Sequence, residues 1–143
     1  MPSGDDFDKL TAALFNKDWD VFLTFFTFPL AVHSSEGLFV FKTPRDLIAV
    51  CTQYVDKIRS QNVHTLKSKV VAQEIPRNRR CRIWRNIYHD AGTDAPFRVS
   101  RAVMYCRALT QNACKIDMIE YTERAFPSVL QDYRTNVVHR VFA

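Results

Sequence analysis

Residues 63–122 constrain the fold more than any other part of the chain, because they contain four consecutive stretches of β-strand character. The stretches cover 63–75, 79–90, 97–109 and 112–122, and each is rich in β-branched and aromatic side chains. The links between them are the short polar segments PRNR, AGTDAP and TQ. Links this short leave no room for a crossover helix, so consecutive strands must pair antiparallel. Long strands also twist, which predicts a strongly curved sheet whose concave side must be filled by helices.

The first 62 residues supply the helices that such a sheet needs. Apolar residues recur at helical spacing over about 5–16, and a second, short helix is predicted over about 19–26. Thr43, Pro44 and Asp46 combine a cap, a first-turn proline and an early acid, which predicts a longer helix ending near Gln61. Between these helices, residues 30–42 are predicted to form a short hairpin with Gly37 in its turn. The expected fold is α+β, a cone-shaped half-barrel of antiparallel strands wrapped around N-terminal helices.

The end of the chain follows a different pattern. Apolar residues after Ser128 recur at helical spacing, which predicts a C-terminal helical extension over 126–143. No internal repeat, linker or low-complexity tract interrupts the sequence. The whole chain, 1–143, is therefore predicted to be one domain with a core over 5–122 and this extension.

Hydropathy and terminal charge argue against a membrane protein. The longest apolar run, 21–32, is interrupted by Thr24, Thr27 and Pro29 and is shorter than the ~20 residues that a membrane helix requires. The first residues, MPSGDDFD, are acidic where a secretory signal would be basic. A soluble, cytoplasmic protein without a membrane partner is expected.

The cysteines and histidines show no spacing typical of a metal site. The four cysteines include no C-x-x-C pair, and the four histidines have no ligand-like spacing among themselves or with the cysteines. Buried free thiols and no bound metal are predicted. The alternatives are a catalytic cysteine, or a disulfide between strand neighbours such as Cys106 and Cys114.

Positive charge is concentrated in the predicted sheet. The chain has a formal net charge of +5, and its densest basic run extends from Arg77 to Arg85 with Trp84 inside it. Cations mixed with an aromatic residue are what a surface for single-stranded nucleic acid uses. Arg82 and Arg85, however, fall on opposite faces of one strand and cannot form a continuous patch. A solvated hairpin tip, and no nucleic-acid partner, is the prediction.

The order of elements resembles the nuclear-transport-factor-2-like superfamily, the α+β cones that include ketosteroid isomerases, polyketide cyclases and scytalone dehydratase. The resemblance covers roughly 5–122 and includes the segment FNKDWDVFLTFFTFPLAVHSSEGLFVFKTPRDLIAV. The segments IPRNRRCRIWRNIY and FRVSRAVMYCRA are also similar to paired strands in the small subunit of ring-hydroxylating dioxygenases, a non-catalytic member of the same fold. The resemblance implies an apolar cavity between sheet and helices, no cofactor, and a homodimer through the outer sheet face.

The resemblance also indicates where acid–base chemistry would lie. Isomerases of this superfamily place a carboxylate base in the region that resembles 30–37; here His33 and Glu36 occupy it, and the family aspartate is absent. Strict alternation along the last strand puts Met118 and Glu120 on the more apolar face, which is predicted to be the interior. A carboxylate there has its pKa raised by desolvation, which suits a general acid or base. His33 and Glu120, assisted by Tyr54 or Tyr88, are therefore the predicted catalytic residues.

A further group of large side chains is predicted to contact a ligand, although core packing alone also accounts for them. These residues are Trp19, Phe22, Phe26, Trp84, Tyr88, Met104 and Met118. Two classes of function stay open. The first is a protein that binds a small, mostly apolar, perhaps cyclic molecule, with or without cofactor-free chemistry of the isomerase, cyclase or dehydratase type. The second is a non-catalytic assembly module whose outer sheet face and C-terminal helix bind another chain.

Overall fold

The structure, a computed structural model, describes residues 4–92, 98–108 and 114–125, together with the backbone of 139–140. Within these residues the helices are Gly4–Phe15 (α1), Trp19–Leu23 (α2) and Pro44–Ser60 (α3). The strands are Phe26–Ser34 (β1), Gly37–Phe41 (β2), Thr65–Gln73 (β3), Arg80–Asp90 (β4), Arg98–Ala108 (β5), Cys114–Glu123 (β6) and His139–Arg140 (β7). The four predicted long strands are all present, as β3 to β6.

One sheet contains all of these strands, in the order β3-β4-β5-β6-β1-β2-β7. Strands β3 to β6 pair antiparallel with their sequence neighbours, as the short links require. The expectation of a wholly antiparallel sheet is wrong at one place, because β1 pairs parallel with β6. The chain between these two strands contains α3 and four other strands, so it is long enough for a parallel connection.

The local signals for helix and turn are confirmed by the geometry. The Thr43 hydroxyl accepts a hydrogen bond from the Asp46 backbone N–H at 3.3 Å, and Pro44 is the first residue of α3. Gly37 has a φ of +126°, a conformation that side-chain-bearing residues rarely adopt, and it begins β2 after the predicted turn. The hairpin is longer than predicted, because β1 begins at Phe26 and includes Pro29.

The predicted C-terminal helix is only partly tested by the described residues. His139 and Arg140 form β7, which pairs antiparallel with β2, so the helix does not extend through these two positions. The rest of the predicted extension, 126–138 and 141–143, lies outside the described residues.

A β-bulge in β6 changes which of its residues face the inside of the cone. The prediction for this strand assumed strict alternation. Ile116 pairs with Cys106 and Ile119 pairs with Met104, so two residues of β6 stand where regular pairing has one. Ile119 consequently faces inward together with its partner Met104. Met118 and Glu120 lie on the outer face, and the prediction that they point into the cone is wrong.

The core lies between the concave face of the sheet and the helices. Its most deeply buried large side chains come from α1, from β1 and β2, and from β4 and β5; they include Phe7, Leu30, Phe39, Phe41, Ile83 and Met104. All four cysteines are free thiols, as predicted, with Cys81 and Cys106 fully buried. In the part of the chain that the structure describes, no helix combines the length and apolarity of a membrane span.

Candidate functional site

A partly open cavity of about 110 Å³ lies between the three helices and the concave face of the sheet. Most of its wall is apolar: Leu10, Leu14, Phe22, Phe26, Val32, Phe41, Leu47, Val50, Ile87, Met104 and Ile119. The polar side chains in the wall are those of Thr11, Cys51, Tyr54, Arg85, Ser100, Tyr121 and Arg124. A dry apolar cavity of about 150 Å³ is known to hold benzene. The volume therefore suits one ring or a short chain.

Four of the residues predicted for the site line this cavity. Tyr54 is on α3, Phe22 is on α2, Phe26 begins β1, and Met104 lies at the middle of β5. Trp19 lies behind this wall, where its ring contacts Phe22 edge-on at 5.6 Å between centroids and packs against the core. Phe22 and Tyr54 therefore lie on the helix faces that helical spacing predicts. Phe26, predicted to end the second helix, is instead the first residue of β1.

The other predicted residues lie on the outer face of the sheet. His33 and Glu120 do meet, with Nδ1 and Oε2 3.6 Å apart, but their side chains are 48% and 35% exposed and neither lines the cavity. Their neighbours Val32 and Ile119, which pair with each other, face inward instead. An acid–base pair inside the cavity made of His33 and Glu120 is therefore excluded by the strand alternation and the bulge in β6.

Trp84 and Tyr88 are also on the outer face of β4, so their predicted place in the cavity is wrong. The buried residues of β4 alternate with them and are Cys81, Ile83, Arg85, Ile87 and His89. Aromatic character favours the face of β4 that contains Trp84 and Tyr88, but the other face is the buried one. Arg82 and Arg85 fall on opposite faces, as predicted, but Arg85 is the inward one.

Arg85 is the central polar group of the cavity wall. It is only 5% exposed, and its Nη2 donates to Thr11 Oγ1 at 2.6 Å. The Thr11 hydroxyl in turn donates to the Phe7 carbonyl at 2.7 Å. The guanidinium carbon lies 5.4 Å from the centroid of the Phe7 ring. Burial lowers the pKa of Arg85 to about 10, so the side chain is still charged at neutral pH.

A second arginine, Arg124, lines the cavity next to its own carboxylate partner. Arg124 Nη1 donates to Glu36 Oε1, and the two side chains are 12% and 6% exposed. The Arg124 guanidinium also lies over the Tyr121 ring, 5.2 Å from its centroid. Glu36 comes from the turn between β1 and β2, whereas Arg124 directly follows β6. This buried ion pair therefore joins two distant parts of the sequence beside the cavity.

Tyr54 and His89 form a hydrogen bond whose direction can be assigned. His89 Nδ1 lies 3.1 Å from the Arg98 carbonyl, which can only accept, so Nδ1 carries the hydrogen. The other ring nitrogen, Nε2, then accepts from the Tyr54 hydroxyl. Burial lowers the pKa of His89, which keeps the ring neutral. Tyr54 therefore offers the cavity an oxygen that accepts hydrogen bonds.

The remaining titratable groups in the wall are also neutral. Burial raises the pKa of Tyr54 and of Tyr121 above the usual tyrosine range. Burial raises the pKa of the Cys51 thiol to about 12. Among the described residues, no carboxylate or imidazole lines the cavity, and no group of His, Cys, Asp and Glu is arranged to hold a metal ion.

Sequence reasoning missed Arg85, Arg124, Tyr121 and His89. A signal for Arg85 was present, because it lies midway in an alternating set that contains Ile83 and Ile87. The mixed polarity of both faces of the strand concealed this signal. Tyr121 was placed on the outer face by strict alternation, and Arg124 had no local signal because its partner is 88 residues away in sequence.

No protein-family model matches the sequence, and no curated protein matches it. Solved structures do match in fold. A protein of unknown function from Mycobacterium tuberculosis is similar with a TM-score of 0.66 and 9% identity, over 97% of this chain and 90% of that one. A domain of unknown function with a cystatin-like fold from Nostoc punctiforme is similar with a TM-score of 0.64 and 14% identity, over 92% of this chain and 82% of that one.

A third match is an NTF-2-like protein of unknown function from Shewanella oneidensis, with a TM-score of 0.60 and 11% identity over 82% of this chain and 93% of that one. At such identities the likeness shows the fold alone. The chain has a nuclear-transport-factor-2-like fold, and the predicted α+β cone is confirmed. The similarity to the dioxygenase small subunit stays a prediction.

Proposed function

We propose that this protein binds a small, mostly apolar molecule, about the size of one ring, in the cavity between its helices and its sheet. The single observation that supports this is the cavity itself, partly open and lined mainly by apolar side chains with a few polar groups among them. Such a wall is typical of small-molecule sites. Catalysis is not part of the proposal, because the described cavity wall offers no carboxylate or imidazole to transfer a proton.

Filling the cavity should weaken ligand binding. Ile119→Phe adds volume from the inner face of β6, so we expect the affinity for a neutral one-ring probe such as benzamide to fall by about tenfold or more. Met118→Phe is the matched control, because Met118 is the preceding residue on the outer face and should leave the affinity unchanged. Chemical-shift titration by NMR measures both, and circular dichroism checks that each variant is folded.

Native mass spectrometry of freshly purified protein adds an independent reading, because a retained molecule appears as extra mass. Absence of benzamide binding to the unmodified protein, together with no retained mass, would remove the proposal. Equal loss of binding in the two variants would place the probe outside the cavity.

The proposal includes a homodimer formed through the outer face of the sheet. An outer aromatic patch, made of the half-buried side chains of Trp84, Tyr88, Tyr105 and Met118 next to the buried Val103, covers the middle of β4, β5 and β6. Trp84 pairs with Val103, and Tyr105 pairs with Met118, so these side chains are neighbours on one face. Aromatic residues and Met are enriched in protein interfaces, which favours a second copy over solvent as the neighbour of this patch.

A charge in the outer aromatic patch should separate the subunits. We expect Trp84→Glu to convert a dimer to a monomer at micromolar concentration, because two buried carboxylates would face each other across the two-fold axis. Ile75→Glu is the control, since Ile75 is 86% exposed in the link between β3 and β4. Sedimentation velocity measures the change. A monomeric unmodified protein would contradict the homodimer and leave the cavity proposal intact.

A further inference from the structure

The guanidinium of Arg85 is buried beside the cavity without a carboxylate partner among the described residues. Among the described residues it donates to a neutral hydroxyl, that of Thr11, and it lies close to the ring of Phe7. The Nε hydrogen is buried and has no acceptor in the described part of the chain. Asp8 influences Arg85 through its charge without an ion pair between them. A guanidinium has five N–H donors, and the contact with Thr11 uses one of them.

The other described titratable groups around the cavity bring no negative charge that matches Arg85. The other cation in the wall, Arg124, already pairs with Glu36. His89 is held neutral by burial, which lowers its pKa. The Tyr54 and Tyr121 phenols are protonated, since burial raises the pKa of both. The buried charge that the described residues leave unmatched is therefore the single positive charge of Arg85.

A buried, unpaired cation is costly, and native proteins normally match it with an anion. Thr11 and Phe7 hold the guanidinium in place but bring no charge. A rigid, pre-oriented fork of N–H donors matches the two oxygens of a carboxylate. A phosphate carries more charge and more acceptor oxygens than one arginine satisfies, and the rest of the wall is mainly apolar.

We infer that the ligand of this cavity is a small monocarboxylic acid, whose carboxylate accepts hydrogen bonds from Arg85 and whose apolar part contacts the Phe22, Val50 and Ile119 side of the wall. This inference rests on the proposed function, because it names the class of molecule that the same cavity binds. It explains why a cation is placed in a pocket whose other lining residues are mostly apolar.

Benzoate and benzamide form the matched probe pair, since they share one ring and differ chiefly in charge. We expect the unmodified protein to bind benzoate more tightly than benzamide by about tenfold to a hundredfold, the range for hydrogen bonds to a charged group. Arg85→Met should abolish this preference and leave benzamide binding in place. Arg85→Lys, which keeps the charge and loses the fork, should retain part of it. Isothermal titration calorimetry at constant ionic strength measures each affinity.

Arg82→Met is the control for loss of an arginine, because Arg82 lies on the outer face of the same strand and pairs with Glu74. It should keep the full preference for benzoate. Inorganic phosphate serves as the control for non-specific anion binding and should not displace benzoate at equal concentration.

The outcomes separate the two proposals. Equal affinities for benzoate and benzamide would overturn the inference and leave the cavity proposal standing, whereas failure of both probes to bind would remove the cavity proposal. A preference that survives Arg85→Met, or displacement by phosphate, would also overturn the inference. Asp94 and Asp132 lie outside the described residues. If the double variant Asp94→Asn/Asp132→Asn prefers benzoate and the unmodified protein does not, then Arg85 belongs to an internal ion pair and the inference is overturned.

Discussion

Replacing Arg85 with methionine is expected to raise the free energy of unfolding by roughly 1–3 kcal/mol. The reason is that the change removes a buried charge that no described carboxylate matches, while Met fills a similar volume without polar atoms. Thr11 loses a donor but still donates to the Phe7 carbonyl, so its hydroxyl stays satisfied. Urea unfolding of the ligand-free protein, followed by circular dichroism, measures the difference.

The matched variant Arg82→Met should not stabilise the protein. Arg82 is exposed and forms a surface ion pair with Glu74, with Nε and Oε1 2.8 Å apart, so its replacement removes a weak favourable contact. A strong loss of stability in Arg85→Met would contradict the prediction. It would mean that Arg85 has an anionic partner in the purified protein, because breaking a buried ion pair leaves one charge uncompensated.

Replacing Glu36 with glutamine is expected to lower the free energy of unfolding by about 3–5 kcal/mol. Glu36 and Arg124 form a buried ion pair, and the amide removes the negative charge that Glu36 brings to it. The same change removes a negative charge beside the cavity. Benzoate should therefore bind the Glu36→Gln variant more tightly than it binds the unmodified protein.

Glu123→Gln is the control for this prediction. Glu123 pairs with Arg101 near the end of β6, but the side chains are 55% and 49% exposed, so the loss should stay below about 1 kcal/mol. Chemical denaturation of both variants under the same conditions gives the comparison. If Glu36→Gln and Glu123→Gln lower the free energy of unfolding equally, the prediction is wrong. The buried ion pair of Glu36 would then contribute no more to stability than the exposed ion pair of Glu123.

The expected effects at Arg85 and Glu36 have opposite signs because the two sites differ in charge balance. Glu36 completes an ion pair, whereas Arg85 lacks a carboxylate partner among the described residues. If Arg85→Met makes the protein more stable and removes its preference for a carboxylate, then Arg85 serves ligand binding and lowers stability. Such trade-offs are common at functional sites.

Local patterns in the sequence determined most of the fold. Four strands joined by links too short for a helix can pair only antiparallel, and β3 to β6 do so. Thr43 and Pro44 begin α3 because the cap and the proline act within one helical turn. The side chains predicted from helices, Phe22 and Tyr54, line the cavity for the same reason: helical spacing alone fixes the face on which they lie.

Tertiary structure alone decided which strand residues reach the cavity. The bulge in β6 depends on how that strand pairs with β5, and it turns Glu120 outward while Ile119 and Tyr121 face inward. On β4 the sequence put Arg85 with Ile83 and Ile87 but could not show that this mixed face is the buried one. The ion pair of Arg124 with Glu36 joins residues that meet only after the sheet has formed. Alternation is a local property, whereas burial and charge balance depend on the neighbours that distant segments supply.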